Sequence, residues 1–502
     1  MCRYEDVTPN PEYLIKSVAE QGYSLEAALA DLIDNSISAV ADKIEILIKT
    51  AKEPFTLILA DNGHGMDEET LKKSMRFPCT SPDNPRTQSD LGRFGLGMKT
   101  ASFSQTRKFT VLSKNASSLD YKGRTWDLNT LTDHGWKLII NTQEEIYSMT
   151  EEYTKMSNEF LDPFQNFKPN TIIIWHGLYK YEEYLEESNR SAALKKEITE
   201  TTAEHLSLVF HKYMEDKKGP LKIRLNNSQL EPFNPFPVQQ SDFRPIEPKH
   251  RKFGPDYFNL EGYILPNRSI EESKNAGNIW TTTHRSLIDM EGIYIYRSKR
   301  VIYFGGWSGV IKKLPRLQLA RLKIDIGNGV DNLLHLNVAK SKVIIPHDLK
   351  DAIKSYIEEL KAEATKEFFN KGTTRLTSEK CKNSSLFVTT PSSKGMLLEL
   401  NTDFPLIRQI IDNLPKNETA KFTLLIKMVN TQINKIKHTH DDTDFQCLAE
   451  EEQKTGNEQL KIIMEIVQNS GMDKNVVRKE LLPMLGYDIS SLPKDIIGVL
   501  YD

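Results

Sequence analysis

Apolar residues recur at helical spacing at Leu25, Ala28, Leu29, Leu32, Ile33 and Ile37, which predicts a helix over 25–40 with one buried stripe. Ser24 stands where a helix N-cap belongs. Further on, Phe55-Thr56-Leu57-Ile58-Leu59-Ala60 is a short, nearly continuous apolar run of the kind that forms a buried strand. From about 24 to 175 the pattern mixes this helix, several short strands and a glycine-rich loop, as in an α/β layer domain. A charged, amphipathic stretch follows and predicts a helical connector. Polarity then alternates with a period of two in LKIRLNN, LEGYILP, GIYIYRSKRVIYF, ARLKIDI and LLHLNVAKSKVII, which predicts a second α+β domain closed by a helix over 347–370. A polar, turn-rich stretch reads as a linker, and KFTLLIKMVNTQINKI and LKIIMEIVQ predict a small helical tail. The expected divisions are an arm at 1–20, a first domain at 21–180, a connector at 181–217, a second domain at 218–370, a linker at 371–395 and a helical domain at 396–502.

Length agrees with this division, since 502 residues exceed one ordinary domain. Hydrophobic residues at 38% and charged residues at 27% match a soluble globular protein. No apolar run approaches the roughly 18 residues that cross a bilayer. The opening MCRYEDVTPNPEYL lacks a basic-then-apolar signal, so a cytoplasmic protein without a membrane partner is expected. Cys2, Cys79, Cys381 and Cys447 lie far apart and read as reduced, structurally incidental thiols. His438 and His440 flank a single threonine, and the two further ligands that zinc requires are not in view.

Three stretches carry chemistry. In the helix, Asp31, Asn35 and Ser38 project from one face, and an acid and an amide one turn apart can serve a metal ion and a water molecule side by side. A lone D-x-x-x-N is usually a solvated helix face. After the strand ending at Ala60 comes Asp61-Asn62-Gly63-His64-Gly65-Met66. Its carboxylate can accept a hydrogen bond from an exocyclic amine, and its glycines let a flat ring approach the backbone. Alone it would be an ordinary turn. The third is Leu91-Gly92-Arg93-Phe94-Gly95-Leu96-Gly97-Met98-Lys99. Its glycines free backbone N–H groups to cradle phosphate at a helix start, and Lys99 adds a point charge. The spacing is neither that of the P-loop nor that of the dinucleotide fingerprint.

In this order, within residues 30–102, the three stretches resemble the motifs of the GHKL ATPase superfamily, and Asn170-Thr171-Ile172-Ile173-Ile174 is similar to its last motif. The resemblance implies a Bergerat-fold sandwich of helices on a mixed sheet, binding ATP with Mg2+. It assigns Asn35 to magnesium, Asp61 to the adenine amino group, Gly63, Gly65 and Met66 to the adenine pocket, and Thr171 to the support of Asp61. Gly92, Gly95, Gly97 and Lys99 would wrap the phosphates, with 74–98 as a lid. Asp31 falls at the general-base position, where the superfamily usually has glutamate. One methylene fewer shortens its reach, and slow hydrolysis is expected. Asp34 and Glu26 sit at the wrong helical phase to replace it.

Gly292-Ile-Tyr-Ile-Tyr-Arg-Ser-Lys-Arg-Val-Ile302 is similar to the transducer signature of the MutL-like and MORC-like branch, which implies a ribosomal-S5-like second domain. There Lys340, or Lys342 on the same strand face, would return to the γ-phosphate. Eight basic residues and no acid lie between Arg297 and Lys323, in a chain of net charge −3, and Tyr294, Tyr296, Tyr303 and Trp307 are interleaved among them. Arg297, Lys299, Arg300, Lys312 and Lys313 are the candidates for sequence-independent DNA contact. The alternative is a charged strand surface over core aromatics. The branch implies an ATP-dependent homodimeric clamp on DNA in a prokaryotic genome-defence or DNA-processing system, with other proteins recruited through the C-terminal region. Competing readings are a nucleotide-sensing scaffold with little turnover and a heat-shock-type chaperone.

Overall fold

The computed structural model describes residues 5, 9–20, 23–77, 96–115, 117–159, 164, 167–183, 185–253, 256–327, 347–369, 386–392 and 395–440. The first domain begins with helices α1 (Pro11–Ala19) and α2 (Leu25–Ser38), then strands β1 (Lys43–Ile48) and β2 (Thr56–Asp61). It continues with α3 (Glu68–Ser74), α4 (Gly97–Phe103), β3 (Lys108–Ser113), β4 (Lys122–Asp127), α5 (Leu128–His134), β5 (Ile139–Ile140), α6 (Gln143–Glu159) and β6 (Thr171–His176). β1 and β2 are buried on both faces because both faces are covered, and all but the ends and Glu45 are apolar. On one face, Ala28, Leu29 and Ile33 of α2 and Ala101 and Phe103 of α4 join the main core. On the other, Ile146, Tyr153 and Met156 of α6 pack against Leu47, Ile58, Leu112 and Ile172. The N-terminus of α2 differs from expectation: Ser24 is its N-cap residue, but its hydroxyl makes no capping bond, and the helix stops at Ser38.

The predicted connector is helical: α7 (Tyr179–Glu182), α8 (Glu187–Lys196), a π turn at Glu197–Thr202, α9 (Ala203–Val209) and α10 (His211–Met214). Next come β7 (Lys222–Leu225) and β8 (Ser228–Gln229), which correct the expected start of the second domain at 218. β7 pairs in parallel with β1, so LKIRL completes the first sheet, an eight-stranded mixed sheet of order β5-β4-β3-β6-β2-β1-β7-β8. Ile223 and Leu225 of β7 enter the main core beside Ile44 and Ile46 of β1, and a buried ion pair joins the two strands on the other face. Arg224 of β7 meets Glu45 of β1 at 2.8 Å, and Glu45 also accepts the Tyr153 and Ser157 hydroxyls of α6 at 2.7 and 3.0 Å.

The second sheet contains β9 (Arg244–Pro245), β10 (Lys249–Phe253) and β11 (Asp256–Ile264). Helices α11 (Ser269–Glu272) and α12 (Leu287–Met290) precede β12 (Gly292–Arg297), β13 (Arg300–Phe304) and β14 (Ala320–Ile326). Its order is β10-β11-β14-β12-β13, with β9 against β11 and with β12 parallel to β14. Tyr294, Tyr296 and Trp307, expected among the basic residues, are core residues. Phe236 packs edge-on against Tyr294 at 5.2 Å. The last predicted strand (333–345) lies outside the described residues, as do Lys340 and Lys342.

Glu291, just before β12, is fully buried, and its Oε1 accepts from the Trp307 indole at 3.2 Å. Its Oε2 is buried with no hydrogen-bond partner among the described residues. Burial pushes this carboxyl from its ordinary 4.5 up to about 7, against the pull of Trp307 and Lys313. Between those values the folded chain keeps a proton that the unfolded chain has released, so stability falls as pH rises from 4.5 through 7. Glu291→Gln is expected to flatten that part of the curve of melting temperature against pH. An unchanged slope would contradict the assignment.

One compact unit comprises 1–263, 270–313 and 321–355 and so holds most of both sheets, and a second comprises 264–269, 314–320 and 356–502. Helix α13 (His347–Phe369) forms over the stretch predicted as helical. The expected linker at 371–395 is corrected in part: Phe387–Ser392 and Gly395–Leu400 form an antiparallel hairpin. Helices Pro405–Asn413 and Lys416–His440 follow. The edge of the hairpin is closed by side-chain amides one helical turn apart, with the Leu398 and Leu400 N–H groups donating to Asn434 and Asn430 at 2.9 Å each. The predicted LKIIMEIVQ helix lies outside the described residues. No helix among the described residues is long and apolar enough to cross a membrane.

Candidate nucleotide site

Asp61 ends β2 as a buried carboxylate fixed at both oxygens. The Gly63 N–H donates to Oδ1 at 2.9 Å, and the Ser36 hydroxyl of α2 donates to Oδ2 at 2.9 Å. Burial raises its pKa, while these two bonds and His64 oppose the rise. Such a group can accept from an exocyclic amine at a defined angle. The adjoining turn requires glycine. A Cβ on Gly63 would lie 2.7 Å from the Ala39 carbonyl, and Gly65 has φ +67° with a Cβ position 1.8 Å from the Lys114 carbonyl.

Sheet pairing brings the remaining predicted pocket residues alongside. Thr171 of β6 stands opposite Asp61 in register, and its hydroxyl lies 2.9 Å from that of Ser113. Ser113 in turn accepts from the Met66 N–H at 2.9 Å, and the Asn170 amide donates to the Gly63 carbonyl at 2.7 Å. Thr171 therefore supports the turn through Ser113 as well as through the strand. Sequence reading passed over Ser36 and Ser113. Ser36 had one available signal, its place directly after Asn35 on the helix that faces β2.

Asp31 and Asn35 lie one turn apart on α2 as predicted, but their surroundings differ. Asn35 is exposed, whereas Asp31 is 5% exposed. The Tyr23 hydroxyl donates to Asp31 Oδ2 at 2.8 Å, and burial, with the Asp31 charge next, raises the pKa of that phenol. A guanidinium nitrogen of Arg300 lies 3.9 Å from Asp31 Oδ1, and Arg300 Nε lies 2.6 Å from Asp34 Oδ1. A Cβ on Gly97 would sit 3.7 Å from Asp31 Oδ2, so the carboxylate lies beside the first residue of α4.

These contacts overturn part of the predicted DNA surface. Arg297 and Arg300 are 2% and 4% exposed, and the β12–β13 hairpin turns Arg300 toward α2 instead of toward solvent. Lys299 pairs with Asp216, and Lys323 pairs with Glu261 and Asp325. Lys312 and Lys313 are exposed as expected. Lys99 departs too: it is buried, and its ammonium donates to the Ser74 carbonyl at 2.7 Å. In this conformation it joins α4 to the end of α3 across the predicted lid. Gly97 opens α4 as expected, while Gly92 and Gly95 lie outside the described residues.

Residues 23–159 match the family described as "Histidine kinase-, DNA gyrase B-, and HSP90-like ATPase". The chain carries a GHKL ATPase domain. That GHKL domain is similar to a stretch of the chaperone protein HtpG of Ruthia magnifica subsp. Calyptogena magnifica, at 28% identity over 146 residues, 27% of this chain and 23% of that protein. It is also similar to Protein MICRORCHIDIA 7 of Arabidopsis thaliana, at 25% identity over 134 residues, 26% of this chain and 18% of that protein. The chain thus spans less than a quarter of the length of these curated relatives.

Proposed function

We propose that the chain binds ATP with magnesium in its GHKL domain, hydrolyses it slowly, and uses the cycle to open and close a homodimeric clamp on DNA. The observation that carries this reading is Asp61, locked by Ser36 and Gly63 beside the helix that bears Asp31 and Asn35. Its oriented carboxylate suits the adenine amino group. Asn35 would supply one ligand to magnesium, an ion that commonly takes few protein ligands when phosphates and water supply the rest. Bound in this way, magnesium would neutralise phosphate charge. Asp31 would orient water and accept its proton. In an S5-like reading of the second domain, Lys340, with Lys342 as the alternative, would reach the γ-phosphate.

Support for DNA contact now comes from Lys312 and Lys313, with Lys299 partly engaged by Asp216. Light scattering with and without a non-hydrolysable ATP analogue, and DNA retention across a salt series, test the clamp. The expected result is a dimer only with nucleotide, and DNA retention that falls about tenfold for Lys312→Glu/Lys313→Glu at low salt. A dimer equally stable without nucleotide would overturn the clamp. Unchanged DNA retention would favour the scaffold reading, and ATP-dependent suppression of client aggregation would favour a chaperone.

A further inference from the structure

We propose that Arg300 is a positioning residue of the ATP site, through which the second sheet sets the orientation of the Asp31 carboxylate. The proposal rests on the reading of Asp31 as the base. Asp31 and Asp34 are three residues apart on α2, so both project toward the same side, and both are buried. Two buried carboxylates need a compensating charge and directed hydrogen bonds. Arg300 of β13 supplies the charge from a distant part of the chain. It lies 2.6 Å from Asp34 and 3.9 Å from Asp31, with its guanidinium 5.7 Å from the centre of the Phe210 ring. A planar fork can address two carboxylates at once, whereas the point charge of lysine cannot hold the same geometry.

The two oxygens of Asp31 therefore face different parts of the chain, Oδ2 through a hydrogen bond and Oδ1 through a longer-range ion pair. Tyr23 holds Oδ2 from the segment that leads into α2, and Arg300 faces Oδ1 from the β12–β13 hairpin. Tyr213 of α10, Arg297 of β12, Glu26 of α2, Arg285 and a neutral, half-buried His205 of α9 are further ionisable groups around this cluster. Burial, with Arg285 and then Arg300, pushes that histidine down to about 3, so it adds no further cation at neutral pH. Any shift of the hairpin against α2 moves the guanidinium that faces Asp31 and Asp34. A misplacement of about 1 Å in a catalytic group can cost about 100-fold in rate.

The test compares the full-length wild type, Arg300→Met, Arg300→Lys and the double variant Arg300→Met/Asp34→Asn. Each is measured for kcat, KM, affinity for a fluorescent ATP analogue, and melting temperature. Arg300→Met is expected to lose at least about tenfold in kcat with nucleotide affinity within about twofold of wild type. Arg300→Lys should recover part of that loss. The double variant removes both charges of the closest ion pair, so it should regain melting temperature but not kcat. Recovery of both would show that Arg300 only holds the fold, and an unchanged kcat in Arg300→Met would likewise overturn the proposal. If Arg300→Met does not fold, the lysine and double variants decide. A wild type without turnover, or Asp31→Asn turning over like wild type, would overturn the reading of Asp31 and this proposal with it. Normal Arg300 variants beside an inactive Asp31→Asn would overturn this proposal alone.

Discussion

Asp31→Asn is expected to lower ATP turnover by about 10²–10⁴-fold, the range over which a positioned general base acts. Nucleotide affinity should stay within about twofold, because the interaction lost belongs to the transition state and not to the bound ground state. The amide cannot take a proton from water. Tyr23 can still donate to the side-chain oxygen at position 31, and Arg300 keeps its closer contact with Asp34, so the helix stays in place. Phosphate release measured under saturating ATP, with a parallel affinity titration, checks both halves. Turnover equal to wild type would mean that the base lies elsewhere. Reduced affinity at unchanged kcat would assign Asp31 to binding.

The largest stability effect is expected where β7 meets β1 in the first sheet. Arg224→Met leaves Glu45 as a buried carboxylate with the Tyr153 and Ser157 hydroxyls and no cation at 2.8 Å. Removing one partner of a buried pair costs about 3–5 kcal/mol, because the remaining charge keeps its desolvation penalty. Arg224 also donates through Nε to the Asn226 carbonyl at 2.8 Å, and that bond disappears as well. Urea unfolding followed by fluorescence, with the buried Trp126 and Trp175 reporting on this domain, measures the loss. A cost below about 1 kcal/mol, the scale of an exposed pair, would show that the pair does not hold β7 to β1.

The turn after β2 was legible because its geometry is local. Asp61, Gly63 and Gly65 lie within five positions, and the turn they form is dictated by backbone conformation at Gly65 and by close approach at Gly63. The i, i+4 spacing of Asp31 and Asn35 likewise survives any packing of α2. Where sequence reading missed, partners far along the chain decided. LKIRL alternates as any amphipathic strand would, and partners far along the chain, the β1 core residues and Glu45, are what place it in the first sheet. The basic run after Arg297 has the composition of a phosphate-binding surface, but a count of charges does not say which side chains the hairpin turns inward. Two arginines point inward because the buried acids of α2 and the packing around β12 and β13 lie on that side.

Local sequence alone specified the GHKL ATPase domain, the helix that carries Asp31 and Asn35, and the glycine turn after Asp61. All of these follow from short-range spacing and backbone preference. Tertiary structure alone decided that Asp31 is held between Tyr23 and Arg300, that Lys99 binds Ser74, and that β7 closes the first sheet. The physical reason is burial. Once a charged group leaves water it must find its counterpart wherever the fold brings one near, and no local pattern records where that will be.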